Sequence, residues 1–169
     1  LYQQVLDKYT YRNSEGNYIL CWDNARFVNH SSNSNCLTTA YEFEIAIRDI
    51  AAGEELTDDY GYLNLEEPFE VVPEEGSNRN IIYPDDLLRY YPEWDEKLVS
   101  AFPEIVKVDQ PLFQLLEAPI REKVKKISSG KMKMDSILNC YYQKGRISGL
   151  NGYVHQNVSM RSPKVSYPD

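Results

Sequence analysis

The spacing of apolar positions changes character along the chain. Leu1, Val5 and Tyr9 fall on one face at helical spacing, with Tyr2 and Leu6 beside them, and predict a helix starting at the first residue. The chain opens on Leu1 rather than Met and that helix has no capping signal, the pattern expected of a piece cut from a longer protein. Tyr9-Thr10-Tyr11 and Tyr18-Ile19-Leu20-Cys21 are rich in strand formers and flank the turn-forming run 13–17, which predicts a hairpin. Residues 37–48 alternate, with Tyr41, Phe43, Ile45 and Ile47 on one side. Thr38, Ala40, Glu42, Glu44, Ala46 and Arg48 take the other, which predicts one half-buried strand. Ala52-Gly53 reads as a turn and 56–60 as a short extended stretch.

Beyond Leu65 the period becomes helical. Residues 66–80 are acidic and hold Pro and Gly, as a loop would. Pro84-Asp85-Asp86 has the proline and carboxylates of a helix start, and two short helices are expected over 84–91 and 92–101, broken at Pro92. A longer amphipathic helix is expected over 111–127, with Leu112, Leu115, Leu116, Ile120, Val124 and Ile127 as its core stripe and Pro119 kinking or splitting it. Residues 135–142 predict one more short helix, and 145–169 is polar and loosely ordered by composition. The fold class is therefore a mainly β front followed by an α-helical extension, α+β overall.

Composition narrows this picture. A hydrophobic fraction of 42% and 14 tyrosines in 169 residues argue against wholesale disorder and for a buried core. No apolar run has membrane-spanning length and no basic-then-apolar leader opens the chain, so a soluble, intracellular protein is expected, cytoplasmic or, in a eukaryote, nuclear. Cys21, Cys36 and Cys140 are widely spaced and odd in number. They suit free buried thiols better than a disulfide framework or a zinc site. The net charge of −8 conceals a division: residues 1–119 hold 8 basic and 23 acidic residues, whereas 120–169 hold 10 basic and 3 acidic. The acidic body favours a cationic partner, and the basic end favours nucleic acid or simply water.

Two segments stand out. Asn29 to Cys36 follows the apolar Phe27-Val28, and six of its eight residues are Asn or Ser, which alone would indicate a turn. His30 has no second histidine near it, since His155 lies far down the chain, so a histidine metal site is not expected. The second segment, Gly53-Glu54-Glu55-Leu56-Thr57-Asp58-Asp59-Tyr60, read alone is a turn with an acidic end. Their order and spacing say more. Arg26 to Asn35 resembles the R-F-[I/V]-N-H-S-C-x-P-N motif of SET-domain protein lysine methyltransferases, with Ser32 for the cysteine and Ser34 for the proline. Gly53 to Tyr60 resembles the same family's G-E-E-L-T-x-D-Y, with Asp58 at the variable place. Two motifs in the right order are far more specific than one. The passage from Tyr18 to Ser31 is most like small bacterial-type members.

The resemblance covers residues 1 to about 65. It implies a SET β-clip, of which this stretch would be the C-terminal part, with a knot-like crossing of the 29–34 loop and the segment ending at Tyr60. The early Gly-x-Gly segment of the family does not occur in the chain. Residues 66–145 would be an acidic loop and a helical post-SET-like extension that caps the lysine channel without zinc, and 146–169 a flexible tail. Ser32 in place of a cysteine agrees with loss of that metal. The resemblance further implies S-adenosylmethionine as cofactor, bound by Arg26, Phe27, Asn29 and His30. Tyr60 would be the catalytic tyrosine, and Tyr41, Phe43 and Tyr62 candidates for the aromatic substrate channel. The substrate would be a lysine in a basic context, histone-like in the best-known members. Without the early segment, activity is expected of a parent protein ahead of this chain alone. The competing reading is a non-catalytic SET-like interaction module that docks a basic partner. A smaller expectation is self-methylation at Lys131, Lys133 or Lys144, close to the acidic body.

Overall fold

The computed structural model describes residues 2–143. The expected tail, Lys144, His155 and the basic residues of 144–169 lie outside the described residues. The architecture is mixed α+β. Helix α1 (Tyr2–Tyr9) leads into an antiparallel hairpin of β1 (Thr10–Arg12) and β2 (Tyr18–Leu20). Its turn is held by Asn13, whose side chain accepts from the Glu15 and Asn17 amides, and Gly16 supplies a positive φ of 87°. The apolar face expected on α1 is not buried: Tyr2, Val5 and Leu6 are all exposed.

A 3-10 turn (Asn24–Phe27) capped by Asp23 precedes β3 (Asn29–His30). Strand β3 pairs in parallel with β6 (Thr57–Asp58), and between them β4 (Cys36–Thr38) pairs antiparallel with β5 (Glu44–Ala46). The single strand expected over 37–48 is thus a hairpin. Thr39 turns the chain, its hydroxyl donating to the Phe43 carbonyl at 2.7 Å and accepting from the Tyr41 amide, and Glu42 adopts φ 62°. Alternation is unbroken across that turn, so periodicity alone could not reveal it.

The acidic stretch 66–80 is mainly loop, as expected, with a small hairpin of β7 (Phe69–Glu70) and β8 (Ile81–Ile82) around it. Helix α2 (Asp86–Ala101) is one helix rather than two. Pro92 removes the bond to the Leu88 carbonyl, but both residues are exposed, so the freed carbonyl faces solvent and the helix continues. The helix expected over 111–127 is a 3-10 turn (Phe113–Leu115) followed by α3 (Ala118–Ser128). Pro119 sits in the first turn of α3, where its missing N–H is not needed. Consequently Leu112 and Leu115 are 71% and 80% exposed instead of lining the core, while Ile120, Val124 and Ile127 pack inward. A last 3-10 turn (Ile137–Cys140) replaces the short helix expected over 135–142. Among the described residues no helix is long and apolar enough to cross a membrane.

The core joins front to extension. Leu37 and Tyr41 from the β4–β5 hairpin meet Leu87, Trp94, Leu98 and Phe102 of and just beyond α2, with Val124, Ile127 and Ile137 behind. Complete burial of side chains such as Leu98 and Val124 stabilises by about 1.5–3 kcal/mol each. Segment 134–142 closes over this core. Asp95 of α2 accepts from the Ile137 amide at 2.8 Å, and Asn64, at φ 51°, bonds the Arg12 and Cys140 carbonyls and the Tyr142 amide. The three cysteines are free and partly buried, and burial raises the Cys36 and Cys140 thiols to about 11, so they are neutral at physiological pH.

Candidate active site

The two motifs meet because β3 and β6 lie side by side. Asn29 is in register with Thr57 and His30 with Asp58, and the ladder extends through the Ser31 amide to the Asp58 carbonyl at 2.9 Å. Asn35 ties the end of the first motif to the second. Its amide side chain donates to the Glu55 carbonyl at 2.7 Å, and the residue is buried. Arg48 pairs with Glu54 at 2.6 Å. With the Ala51 amide and Asn35 it holds the Glu54 carboxyl down at about 2, so this end of the second motif is ionised at any working pH.

Tyr60 begins a 3-10 turn (Tyr60–Tyr62) whose cap is Asp59, the carboxylate accepting from the Gly61 amide. The Tyr60 amide donates to His30 Nδ1 at 3.1 Å, which fixes the neutral tautomer with its proton on Nε2. Burial lowers the His30 pKa against the pull of Asp59, in keeping with that role as acceptor. The Tyr60 hydroxyl donates to the Val28 carbonyl at 2.5 Å. Burial, then Asp58, raises the phenol pKa, so Tyr60 is a neutral donor rather than a phenolate base.

A cleft of about 650 Å³ opens between α1, the β1–β2 hairpin and the β4–β5 hairpin. Arg26, Phe43, Tyr60 and Tyr62, four of the residues singled out in the sequence, line it together with Glu42, Glu44 and Asp58. The Tyr62 hydroxyl donates to Asp58 at 2.6 Å and lies 3.2 Å from Glu44. Burial drives the Asp58 carboxyl well above the usual carboxylate range, and nearby Glu44 pushes the same way. Phe27, Asn29, His30 and Tyr41 do not line the cleft. Phe27 is 60% exposed with the Arg26 guanidinium 4.6 Å above its ring, and Asn29 is exposed and bonds Glu55 at 2.6 Å. His30 lies behind Tyr60, ring to ring at 5.5 Å. Tyr41 belongs to the core, packed edge-on against Phe102 with its hydroxyl accepting from the Asp135 amide.

Three residues that support this site were not visible in the motifs. Glu74 accepts from the Ser31 hydroxyl and from the Ser32 and Asn33 amides, so the acidic loop caps the Asn/Ser turn. Arg79 grips Asp59 with both Nη atoms, at 2.5 and 3.1 Å, and reaches Asp86 of α2 at 2.9 Å. The one signal for Arg79 in the sequence is that it is the only basic residue between Arg48 and Arg89. A lone cation in an acidic run is a candidate for pairing.

No curated protein and no solved structure matches the chain. The family model of the SET domain matches residues 2–61, the stretch that carries both motifs, the β3–β6 pair and Tyr60. Over that segment the chain is similar to SET domains.

Proposed function

We propose that the protein is an S-adenosylmethionine-dependent protein lysine methyltransferase whose reaction takes place in the cleft beside Tyr60. The observation that carries this reading is the arrangement around Tyr60: a neutral hydroxyl at the wall of an acidic, aromatic cleft, with its amide held by His30. When bound, S-adenosylmethionine supplies an electrophilic methyl group on a cationic sulfonium. The residues present fit it in kind. Trp22 and Phe27 expose flat ring faces of the sort that stack on a purine, and the carboxylates of Glu42 and Glu44 suit a cation. Arg26, Phe27, Asn29 and His30 would hold the cofactor, with Asn29 exchanging its bond to Glu55 for one to the ligand.

A lysine side chain enters water as an ammonium and must reach the methyl group as a neutral amine. Tyr60 orients that nitrogen by hydrogen bonding and excludes water on one side, and Phe43 with Tyr62 flanks the aliphatic stem. The exposed carboxylates of Glu42 and Glu44 draw the cationic lysine into the cleft, which favours substrates in a basic context. Knot-like threading of the 29–34 loop under the Tyr60 segment belongs to the same proposal. The pairing of β3 with β6 and the Ser31–Asp58 bond support it.

The test is transfer of a labelled methyl group to a panel of lysine-rich proteins, histone-like ones included, with intact-mass measurement of the chain itself. Incorporation that disappears when target lysines are replaced is expected. A protein that is folded and stabilised by the cofactor yet transfers nothing would instead be a non-catalytic binding module.

A further inference from the structure

Arg79 lies outside both motifs and outside the stretch matched by the family model. Its side chain is 13% exposed and sits between two carboxylates, Asp59 and Asp86, that are 2% and 1% exposed. The guanidinium face lies 4.4 Å from the Tyr90 ring centre, so α2 supplies both an anion and a stacking surface. A planar fork can serve two carboxylates at once where an ammonium serves one well.

Asp59 is the residue through which this grip reaches the site. It precedes Tyr60 and accepts from the Gly61 amide at 3.0 Å. Its Oδ1 lies 3.9 Å from the His30 Nδ1 that receives the Tyr60 amide. Asp59 thus caps the turn, His30 accepts its first amide, and Arg79 ties Asp59 to Asp86 of α2. We infer that Arg79 is a positioning residue for methyl transfer: by clamping Asp59 against α2 it sets the attitude of the Tyr60 turn, and with it the hydroxyl in the cleft. The consequence for transfer rests on the methyltransferase reading; the mechanical coupling does not. It makes the helical extension a working part of the site rather than a passive cover.

The coupling has a spectroscopic readout. The groups facing His30 are Ser32 from its own segment, Asp58, Asp59 and Tyr60 from β6 and the turn, Glu74 from the acidic loop, and Arg79. Among these Arg79 opposes protonation of the ring and Asp59 favours it. His30 and His155 are the only histidines, so His155→Gln assigns the imidazole signals in a proton NMR titration. Arg79→Met leaves Asp59 unshared beside His30, and the His30 titration moves to higher pH; adding Asp59→Asn reverses the shift. Because Arg79→Met leaves two buried carboxylates without their cation, Arg79→Lys is the variant that keeps a cation in the niche and the fold intact. In Arg79→Lys, which keeps the charge and loses the two-carboxylate fork, the readout is the rate. Its kcat for lysine methylation falls on the order of ten- to a hundredfold, with KM for the protein substrate within about twofold of wild type. A folded Arg79→Met protein with an unmoved His30 titration, or a folded Arg79→Lys protein with unchanged kcat, overturns the inference. Wild-type protein that methylates no lysine overturns the function reading instead, and the His30 titration still decides whether Arg79 acts on the Tyr60 turn.

Discussion

Asn35 and Thr57 bond each other twice: the Asn35 amide donates to Thr57 Oγ1 at 3.2 Å, and the Thr57 amide donates to Asn35 Oδ1 at 2.9 Å. The same Asn35 side chain donates to the Glu55 carbonyl and to Glu54, and its own carbonyl accepts from the Ile47 amide. One buried residue thus joins the first motif to the second across 22 positions of sequence. The parallel pairing of β3 with β6 depends on it, because two-residue strands contribute little cohesion of their own.

Asn35→Leu should therefore cost more than its size suggests. It removes the partners of the Thr57 amide and the Glu55 carbonyl in a buried place, at about 1–3 kcal/mol for each group left unsatisfied. A loss of about 2–4 kcal/mol in unfolding free energy by urea denaturation is expected, with cofactor binding lost in step. A loss below about 1 kcal/mol would show that the clasp is dispensable.

Tyr60→Phe isolates the hydroxyl. Among the described residues the hydroxyl makes one hydrogen bond, to the Val28 carbonyl, and the ring packs against His30 and Phe69 whether or not the oxygen is there. The variant is expected to fold with stability within about 1.5 kcal/mol of wild type. Its methyl transfer should fall on the order of a hundredfold or more, the usual cost of removing one preorganised donor. Transfer at the wild-type rate would remove Tyr60 from the mechanism.

These residues also mark what the sequence made legible. The two motifs lie side by side through the β3–β6 pair, as short segments of fixed spacing can, and four of the eight named residues line the cleft. Tyr41 shows the limit. Its alternation with Phe43 put both on one face, and the two rings do stack at 6.3 Å, but Tyr41 is buried in the core while Phe43 also reaches the cleft. The Glu74, Arg79 and Asp86 contacts were illegible for a different reason. Each is one charged residue in a stretch full of charge, chosen by tertiary position and not by any period.

His30 gives the stability a predictable pH dependence. Burial lowers its pKa below the ordinary 6.5, so the folded state binds this proton less readily than the unfolded chain. A depressed base of this kind contributes stability that is present above pH 6.5 and is lost as pH falls through the lowered folded value. Thermal unfolding of wild type should show a decline on that acid limb that His30→Gln lacks. Parallel curves for the two proteins would mean that His30 takes up its proton without disturbing the Tyr60 amide.

Gly61 packs directly against the helical extension. A Cβ built there would lie 2.9 Å from Arg79 Nη2, 2.9 Å from the Trp94 ring and 3.0 Å from Asp86 Cβ. None of these can withdraw easily: the guanidinium is pinned by two carboxylates, Trp94 is 2% exposed in the core, and Asp86 begins α2. The turn itself must therefore move away from α2, carrying Tyr60 with it. Gly61→Ala is expected to destabilise the protein by about 1–3 kcal/mol, the common range for overpacking. Unlike a remote core substitution of equal cost, it should also lower kcat for methyl transfer under conditions where the variant is fully folded. Trp94→Phe in the Gly61→Ala background clears one of the three contacts, and should restore part of both stability and rate. If stability returns and rate does not, the Tyr60 turn is displaced by the remaining Arg79 and Asp86 contacts.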